Sequence, residues 1–446
     1  MIFIYSPSEN IKRLEYIATH IFNSILNIDF SITKDKDFFL KQTTACVNYS
    51  NEDLNHGLSI IPQGLLFEKG IREIKELKIS RWNGYFCFFC NIKGDIPFDI
   101  FSASFYLLTL YEEYFPKQLD EHGRFKLNES FTFLNGFLET PLIDRWVYQL
   151  KNELINKYPE TIFKKRIFKF ISTIDVDYPY LYLKKGIIRS VGGVIKDLLQ
   201  GKFLNIKTRI NVTFLKKPDP YMEAILWIDQ VHKSMEKSYY LFVLMKDRGK
   251  YGRKTFYPLN EYYKHLKQTD LAIIGLHPSY NSYHNLKQLI KEKKKLEKAL
   301  KKGEISASRQ HYLQMNVPDT FHHLESAGIR DDFTVAFSQS PGFRSGTALP
   351  YYFYDVVKDE VGKVLLHPTI IMDSCLITHQ SLCPELALEK IKHLIDECKR
   401  SGGDFVSLWH NSNLTGNSNN NSWINVFTEM LRYAIMMENE KENDDL

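Results

Sequence analysis

The chain has 446 residues, 44% hydrophobic and 25% charged, with 58 basic against 53 acidic side chains and a net charge of +5. This is ordinary globular usage, which excludes wholesale disorder, and the mild charge excludes a dedicated nucleic-acid binder, whose pI would exceed ~9. The length suits two or three domains at ~150 residues each, and the 14% aromatic content supplies both large cores and sugar-stacking surfaces.

The opening Met-Ile-Phe-Ile-Tyr-Ser-Pro reads as a first strand, because it lacks the basic start and small-residue cleavage site of a leader. An amphipathic helix pattern follows at Asn10–Leu26, then several short β-rich runs and helices at Phe98–Phe115 and Leu142–Lys157. The longest apolar stretch without charge, Ile100–Tyr111, is 12 residues long, short of the ~20 that span a bilayer. Six cysteines are too sparse for a disulfide-stapled scaffold, so the cytoplasm is the expected compartment. A polar linker from Lys157 to Arg166 separates a smaller N-terminal α/β domain, residues 1–165, from a larger one, residues 166–446. In the second region strands at Phe168–Ile174, Ser238–Met245, Leu271–Leu276, Ser306–Tyr312, Phe333–Phe337, Val364–Ile371 and Phe405–Trp409 alternate with helices at Tyr221–Lys237, Leu259–Lys267, His284–Lys302, Thr320–Ala327, Pro384–Arg400 and Trp423–Met437. Such alternation predicts a parallel sheet, open or barrel, with chemistry at the C-terminal ends of its strands.

Five clusters fall at those ends. Asp175 and Asp177, two residues apart, leave a strand on one face; one carboxylate can ligate a cation while the other stays free as a base, although surface turns also produce this pattern. His277 directly follows an apolar strand, where it is either a metal ligand or a satisfied half-buried histidine. Arg309 and His311 share one strand face, Asp331-Asp332-Phe-Thr334 precedes Gly342-Phe-Arg344-Ser-Gly346-Thr347, and Leu408-Trp409-His410 ends the last strand with a candidate general acid.

Taken in order, Thr-Ile-Asp-Val-Asp, the strand-end His277, Arg309-Gln-His-Tyr, Asp332-Phe-Thr and Leu-Trp-His resemble the five motifs of the polysaccharide deacetylase family, the NodB-like group or carbohydrate esterase family four, over roughly residues 168–435. The runs Arg309-Gln-His-Tyr-Leu, Gly342-Phe-Arg-Ser-Gly-Thr and Pro350-Tyr-Tyr-Phe look like a bacterial subgroup carrying an additional N-terminal domain. The resemblance implies a distorted (β/α) barrel of about seven parallel strands and hydrolytic N-deacetylation of an acetamido sugar in surface-polysaccharide biosynthesis or modification. It assigns Asp175 as general base, Asp177 and His277 as metal ligands, Arg309 as the group orienting the base, His410 as the acid and Asp332 as the carboxylate orienting it. The cofactor would be one divalent ion, zinc first, with nickel, cobalt or manganese as alternatives. The family's second ligand histidine is Asn281 here, so His311, Asn281 or His284 completes the set, or tight binding is lost. Tyr312, Arg344 and Trp409 are the expected substrate contacts, Arg344 without a counterpart in the family and as a partner for a substrate carboxylate or phosphate.

Two rivals accompany it: a glycan-binding or scaffold protein on the same barrel with a degenerate metal site, and a hydrolase of another C–N bond. The expected partner is an N-acetylated sugar or glycan precursor, nucleotide- or lipid-linked, with no nucleic acid and no transmembrane segment. Lys184–Lys217, with nine basic residues against Asp197 alone, is either a solvated insertion or a surface for anionic lipid at the inner membrane face or for a phosphorylated substrate. Cys87 and Cys90 lack a second pair and read as core, His322 and His323 as structural, Lys287–Lys302 as a solvated helix face, and Gly192-Gly193 fits no phosphate loop.

Overall fold

The computed structural model describes residues 1–183, 187–245, 260–301, 303–416 and 421–440, with only the backbone for 187–189 and 260. The basic stretch 184–217, the lysine-rich helix 287–302, the loop 411–422 and the tail 438–446 thus lie partly outside the described residues, Lys184 and Lys185 among them.

The first region is built on four parallel strands, β1 (Ile2–Tyr5), β2 (Phe30–Thr33), β3 (Cys46–Asn48) and β4 (Leu58–Ser59), in the order β2-β1-β3-β4. The first amphipathic pattern forms an α-helix, Lys12–Ala18, that widens into a π-helical segment, Thr19–Ile25, burying Leu14, Ile17, Ile21 and Phe22 on one side. Strands β5 (Ser80–Trp82) and β6 (Tyr85–Cys87) form a hairpin over Asn83-Gly84, both at positive φ, 48° and 87°, the turn that matches strand twist. Cys87 is buried beside it. The helices Ile100–Leu108 and Leu142–Lys157 complete this region.

The second sheet contains β7 (Lys169–Val176), β8 (Tyr239–Leu244), β9 (Ala272–His277), β10 (Ala307–Ser308), β11 (Asp331–Asp332), β12 (Tyr351–Asp355), β13 (Glu360–Leu366), β14 (Ile371–Met372) and β15 (Asp404–His410), in the order β12-β13-β11-β10-β9-β8-β7-β15-β14. All neighbours are parallel except β12 with β13. Its central strands are nearly continuous apolar runs, as strands covered on both faces must be. The expected barrel of about seven strands is therefore, in its hydrogen bonding, an open ladder of nine.

This ladder is strongly curled. Arg309, just past β10, bonds Thr173 on β7 at 2.6 Å, although β9 and β8 stand between them and flat strands at ~4.8 Å spacing would hold them about 14 Å apart. One continuous stretch, Glu360–Met372, supplies β13 near one edge and β14 at the other. Its middle residues cross the gap through Thr369 N to Val335 O at 3.0 Å and Ile370 N to Val406 O at 2.9 Å.

Three strand expectations are corrected. In Ser306–Tyr312 only Ala307–Ser308 pairs, because the chain turns into a short 3-10 segment, His311–Leu313, with Tyr312 at φ 61°. Phe333–Phe337 is not a strand: the ladder holds Asp331–Asp332, and Thr334 N turns back onto the Asp332 carboxylate. Val364–Ile371 splits at His367–Ile370, which contains Pro368, a residue with no N–H to give.

The run Gly342–Thr347 packs against the first region. Gly342 (φ 135°) leaves no room for a Cβ, which would meet Leu138 O at 2.5 Å, and at Gly346 one would meet Leu107 Cδ1 at 2.7 Å. Asp144 accepts from Thr347 Oγ1 and Ala348 N at 2.6 and 2.8 Å, and burial pushes its carboxyl up to about 7. Among the described residues no helix is long and apolar enough to cross a membrane.

Candidate metal centre and its flanking acid and base

Strand register sets the geometry. Asp175 lies opposite His410 across β7 and β15, and β8 carries the alignment over to β9, where Leu244 faces His277. Asp175, Asp177, His277 and His410 therefore emerge at one edge of the sheet, and the turn after β10 brings in His311.

Asp177, His277 and His311 each offer one ligand atom, all within 4.8 Å of one another. Asp177 Oδ1 is 3.3 Å from His277 Nε2 and 3.7 Å from His311 Nε2. It is buried without a hydrogen-bond partner. Donors ~2.0–2.1 Å from a tetrahedral zinc stand about 3.3–3.5 Å apart, so the spacing suits such an ion. His277 Nδ1 lies 2.6 Å from the Arg309 carbonyl. That oxygen only accepts, so Nδ1 carries a proton and Nε2 is the atom turned toward Asp177, where a cation would meet it. Asn281 and His284 are exposed.

On one side of the triad stands Asp175, buried, with Oδ1 receiving Arg309 Nη1 at 2.9 Å and Oδ2 3.8 Å from His277 Nε2. On the other stands His410, whose Nδ1 is 2.7 Å from Asp373 Oδ1 and whose backbone N–H donates to Asp373 Oδ2 at 2.7 Å. Asp373, fully buried, also accepts from Ser374 N and Asn413 Nδ2. The acid holding His410 is thus Asp373 and not Asp332, which is occupied by Ser308 Oγ and Thr334 N at 2.7 and 2.9 Å. Asp332 sits on β11, well around the curl from β15, whereas Asp373 follows β14, the neighbour of β15. Its signal was present: a carboxylate just past an apolar run, the position Asp175, His277 and His410 occupy.

The charges reinforce one another. Burial alone would raise Asp177, but the His277, His311 and His410 imidazoles hold it well below the usual carboxylate range. Burial would lower His277 and His410; the Asp175 and Asp177 carboxylates raise His277, and Asp373 foremost lifts His410 to about 10. This corner of the fold favours positive charge, and His410 is an imidazolium at neutral pH. The raised value makes a stability prediction. Asp373 stabilises the fold fully below the unfolded imidazole value of ~6.5 and loses that contribution as pH rises through about 10. In the metal-free protein, Asp373→Asn should bring the His410 titration, followed by NMR, down by about two units or more, and should flatten the fall of stability between about pH 7 and 10. An unchanged His410 titration would mean that Asp373 does not set its charge.

Two of the residues read as substrate contacts have partners within the protein. Arg344 is buried with its Nε and Nη2 donating to the two Glu113 carboxylate oxygens at 2.8 and 2.6 Å and its Nη1 to Ala336 O. It holds the two regions together. Trp409 alternates with His410 along β15, so its ring faces the other side, where Nε1 meets Met430 Sδ at 3.4 Å and the ring packs on Phe427. Tyr312 does lie at the rim, 38% exposed, with its ring 4.4 Å from that of His311. Two rim residues from the first region had no sequence signal: His122, whose ring is 4.7 Å from Tyr312, and Arg124, which donates to the Tyr312 carbonyl. A cavity of about 380 Å³ opens beside them between Arg124, Phe125 and Leu127 and Leu313, Phe337 and Arg344, so the Arg344 side chain lines it while paired with Glu113.

A family model described as a family of unknown function (DUF7033) matches residues 2–159. No curated protein matches the chain. Among solved structures it is similar to a protein assigned as a polysaccharide deacetylase from Mycobacterium smegmatis, at 13% identity over 61% of this chain and 85% of that one, TM-score 0.40. It is also similar to Agd3, described as a novel carbohydrate deacetylase, at 9% identity over 97% and 84%, TM-score 0.37. A third is 4-alpha-glucanotransferase from Thermococcus litoralis, at 13% identity, with 62% of this chain and 38% of that chain covered and a TM-score of 0.36. At these distances the likenesses carry no argument about the reaction; the arrangement of the site does.

Proposed function

We propose that the chain is a metal-dependent hydrolase that removes the acetyl group from an acetamido sugar. The observation that carries this reading is the Asp177-His277-His311 donor set with a carboxylate held by an arginine on one side and an imidazolium held by a carboxylate on the other. The motif order resembling polysaccharide deacetylases supports the choice of substrate class.

Asp177, His277 and His311 would hold the cation, one carboxylate and two imidazoles being a donor set that leaves a coordination position open. A bound divalent cation supplies Lewis acidity toward an acyl carbonyl and toward water. Asp175 is the base: Arg309 fixes one oxygen, and the other accepts the proton of the attacking water. His410, charged at neutral pH, protonates the departing nitrogen, so that acetate and a free amine leave together. Asp373 keeps the His410 ring oriented through that transfer. No side chain becomes acylated. Tyr312 and His122 at the rim offer ring faces to a sugar.

Metal content tests the proposal first. The purified protein should hold about one equivalent of zinc or a similar ion by elemental analysis, and Asp177→Asn and His311→Ala should each weaken binding by about 100-fold or more. Chelation should abolish acetate release across a panel of free, nucleotide-linked and lipid-linked acetamido sugars. A protein that binds no divalent ion even after reconstitution is not this hydrolase, and full occupancy in His311→Ala would remove His311 from the site.

A further inference from the structure

The chain between Asp177 and the helix Pro220–Ser234 forms two helices, Ile187–Leu199 and Phe203–Thr213, that add nothing to the sheet. Of the 28 large apolar side chains exposed on the described chain, nine lie between residues 191 and 215, each at least 44% exposed. Val191, Ile195 and Leu198 follow the i, i+4, i+7 spacing of one helical stripe, which on an ordinary surface helix faces the core. Here it faces out, with Val191, Ile195 and Leu198 53%, 54% and 56% exposed, and Leu199, Phe203 and Phe214 beside it more exposed still. Polar contacts lie on the inner side instead, where Asp197 pairs with Arg209 at 2.8 Å and Arg209 lies over the Tyr182 ring.

The charge around this apolar face has one sign. Lys196, Lys202, Lys207, Lys216 and Lys217 are exposed, while the sole acid of the segment, Asp197, is buried in its pair with Arg209. A second copy of the same face would bring lysines against lysines. An anionic lipid surface meets both features, taking the aromatic and aliphatic side chains into its acyl boundary and the ammonium groups among its phosphates. The base is fixed: Asp219 accepts the backbone N–H groups of Leu181, Tyr182 and Leu183 at 2.6, 2.7 and 3.0 Å. The helical pair is thereby rooted at the strand end that carries Asp177.

We propose that helices 187–199 and 203–213 form a membrane-surface anchor that inserts its apolar face into the headgroup region of an anionic bilayer beside the candidate metal centre. It lies in the interface and does not span it.

Flotation of the full chain with vesicles tests this. Binding is expected with phosphatidylcholine containing phosphatidylglycerol, weak with phosphatidylcholine alone, and reduced by salt. Lys216→Ala and Lys217→Ala should each weaken partitioning by roughly fivefold, and Phe203→Ser with Phe214→Ser should abolish it. All four side chains are exposed, so near-UV circular dichroism should stay unchanged. Asp177→Asn should bind vesicles as the wild type does, so the anchor stands or falls apart from the hydrolytic reading. Equal recovery with and without phosphatidylglycerol, or binding unchanged in the double Phe variant, overturns the proposal. So does a dimer by light scattering that dissociates in Phe214→Ser without any vesicle binding, which would assign the face to a second copy.

Discussion

In the proposed hydrolase, replacing Asp175 by Asn should lower turnover by ~10²–10⁴-fold while leaving metal content unchanged. Asp175 lies outside the donor cluster of Asp177, His277 and His311, so metal content should not change. Asn fills the same space and keeps an oxygen for Arg309 Nη1, now 2.9 Å from Oδ1, so the curl of the sheet should survive. What is lost is the capacity to take a proton from water. Asp177→Asn, two residues along the same strand exit, should behave differently and lose metal and activity together. The pair separates the two carboxylates by role: acetate release measured beside elemental analysis should show activity lost with metal kept in the first and both lost in the second. If Asp175→Asn keeps activity within a factor of about three with metal bound, another group is the base. Loss of metal in both variants would instead place Asp175 among the ligands.

The parts of this arrangement that could be read in advance are those written by strand ends. Apolar runs ending in Asp175, His277 and His410 gave both the strands and the polar residues that emerge from them, because in a parallel sheet the chain must leave at the edge where ligands collect. Helices Leu142–Lys157 and Pro384–Arg400 carry an apolar stripe at regular spacing and form with those bounds. What stayed hidden depended on curvature. Arg309 sits just past a strand of only two paired residues, and nothing local says that its guanidinium crosses the curl to β7. Asp332 precedes an apolar run and Asp373 follows one; their roles divide by which strand lies beside β15, a matter of sheet order. Gly342-Phe-Arg344-Ser-Gly346 reads as a ligand contact because its arginine suits a carboxylate or phosphate, and in the structure both its glycines take positive φ. The same features let two backbones approach closely, and here the approaching backbone is that of the first region. The stretch Lys184–Lys217 stood out by its charge, but periodicity marks a helix and is silent on which side the protein lies, so only the structure shows its apolar stripe facing out.

Arg309→Met should destabilise the protein by ~3–5 kcal/mol, the range for removing one partner of a buried ion pair. The guanidinium is fully buried and distributes its donors over four acceptors: Phe333 O at 3.0 Å, Thr173 Oγ1 at 2.6 Å, Asp175 Oδ1 at 2.9 Å and Thr369 Oγ1 at 3.0 Å. It also lies 4.8 Å from the Phe242 ring centre. Burial lowers its pKa, yet with Asp175 adjoining it stays charged. Methionine retains much of the volume and none of the donors, leaving the Asp175 charge buried without its partner. Lysine is no remedy, since one ammonium cannot reach acceptors drawn from β7, the end of β11 and the crossing segment before β14. A double-mutant cycle in denaturant separates the causes. If the unpaired charge dominates, Arg309→Met with Asp175→Asn should be more stable than Arg309→Met alone by about 1–3 kcal/mol. Strict additivity would assign the loss to the carbonyl and hydroxyl partners instead. Either result bears on the proposed chemistry, because the groups that Arg309 draws together across the curl include Asp175, its proposed base: a residue that loosens the sheet at this point also displaces Asp175 from the edge where His277 and Asp177 stand.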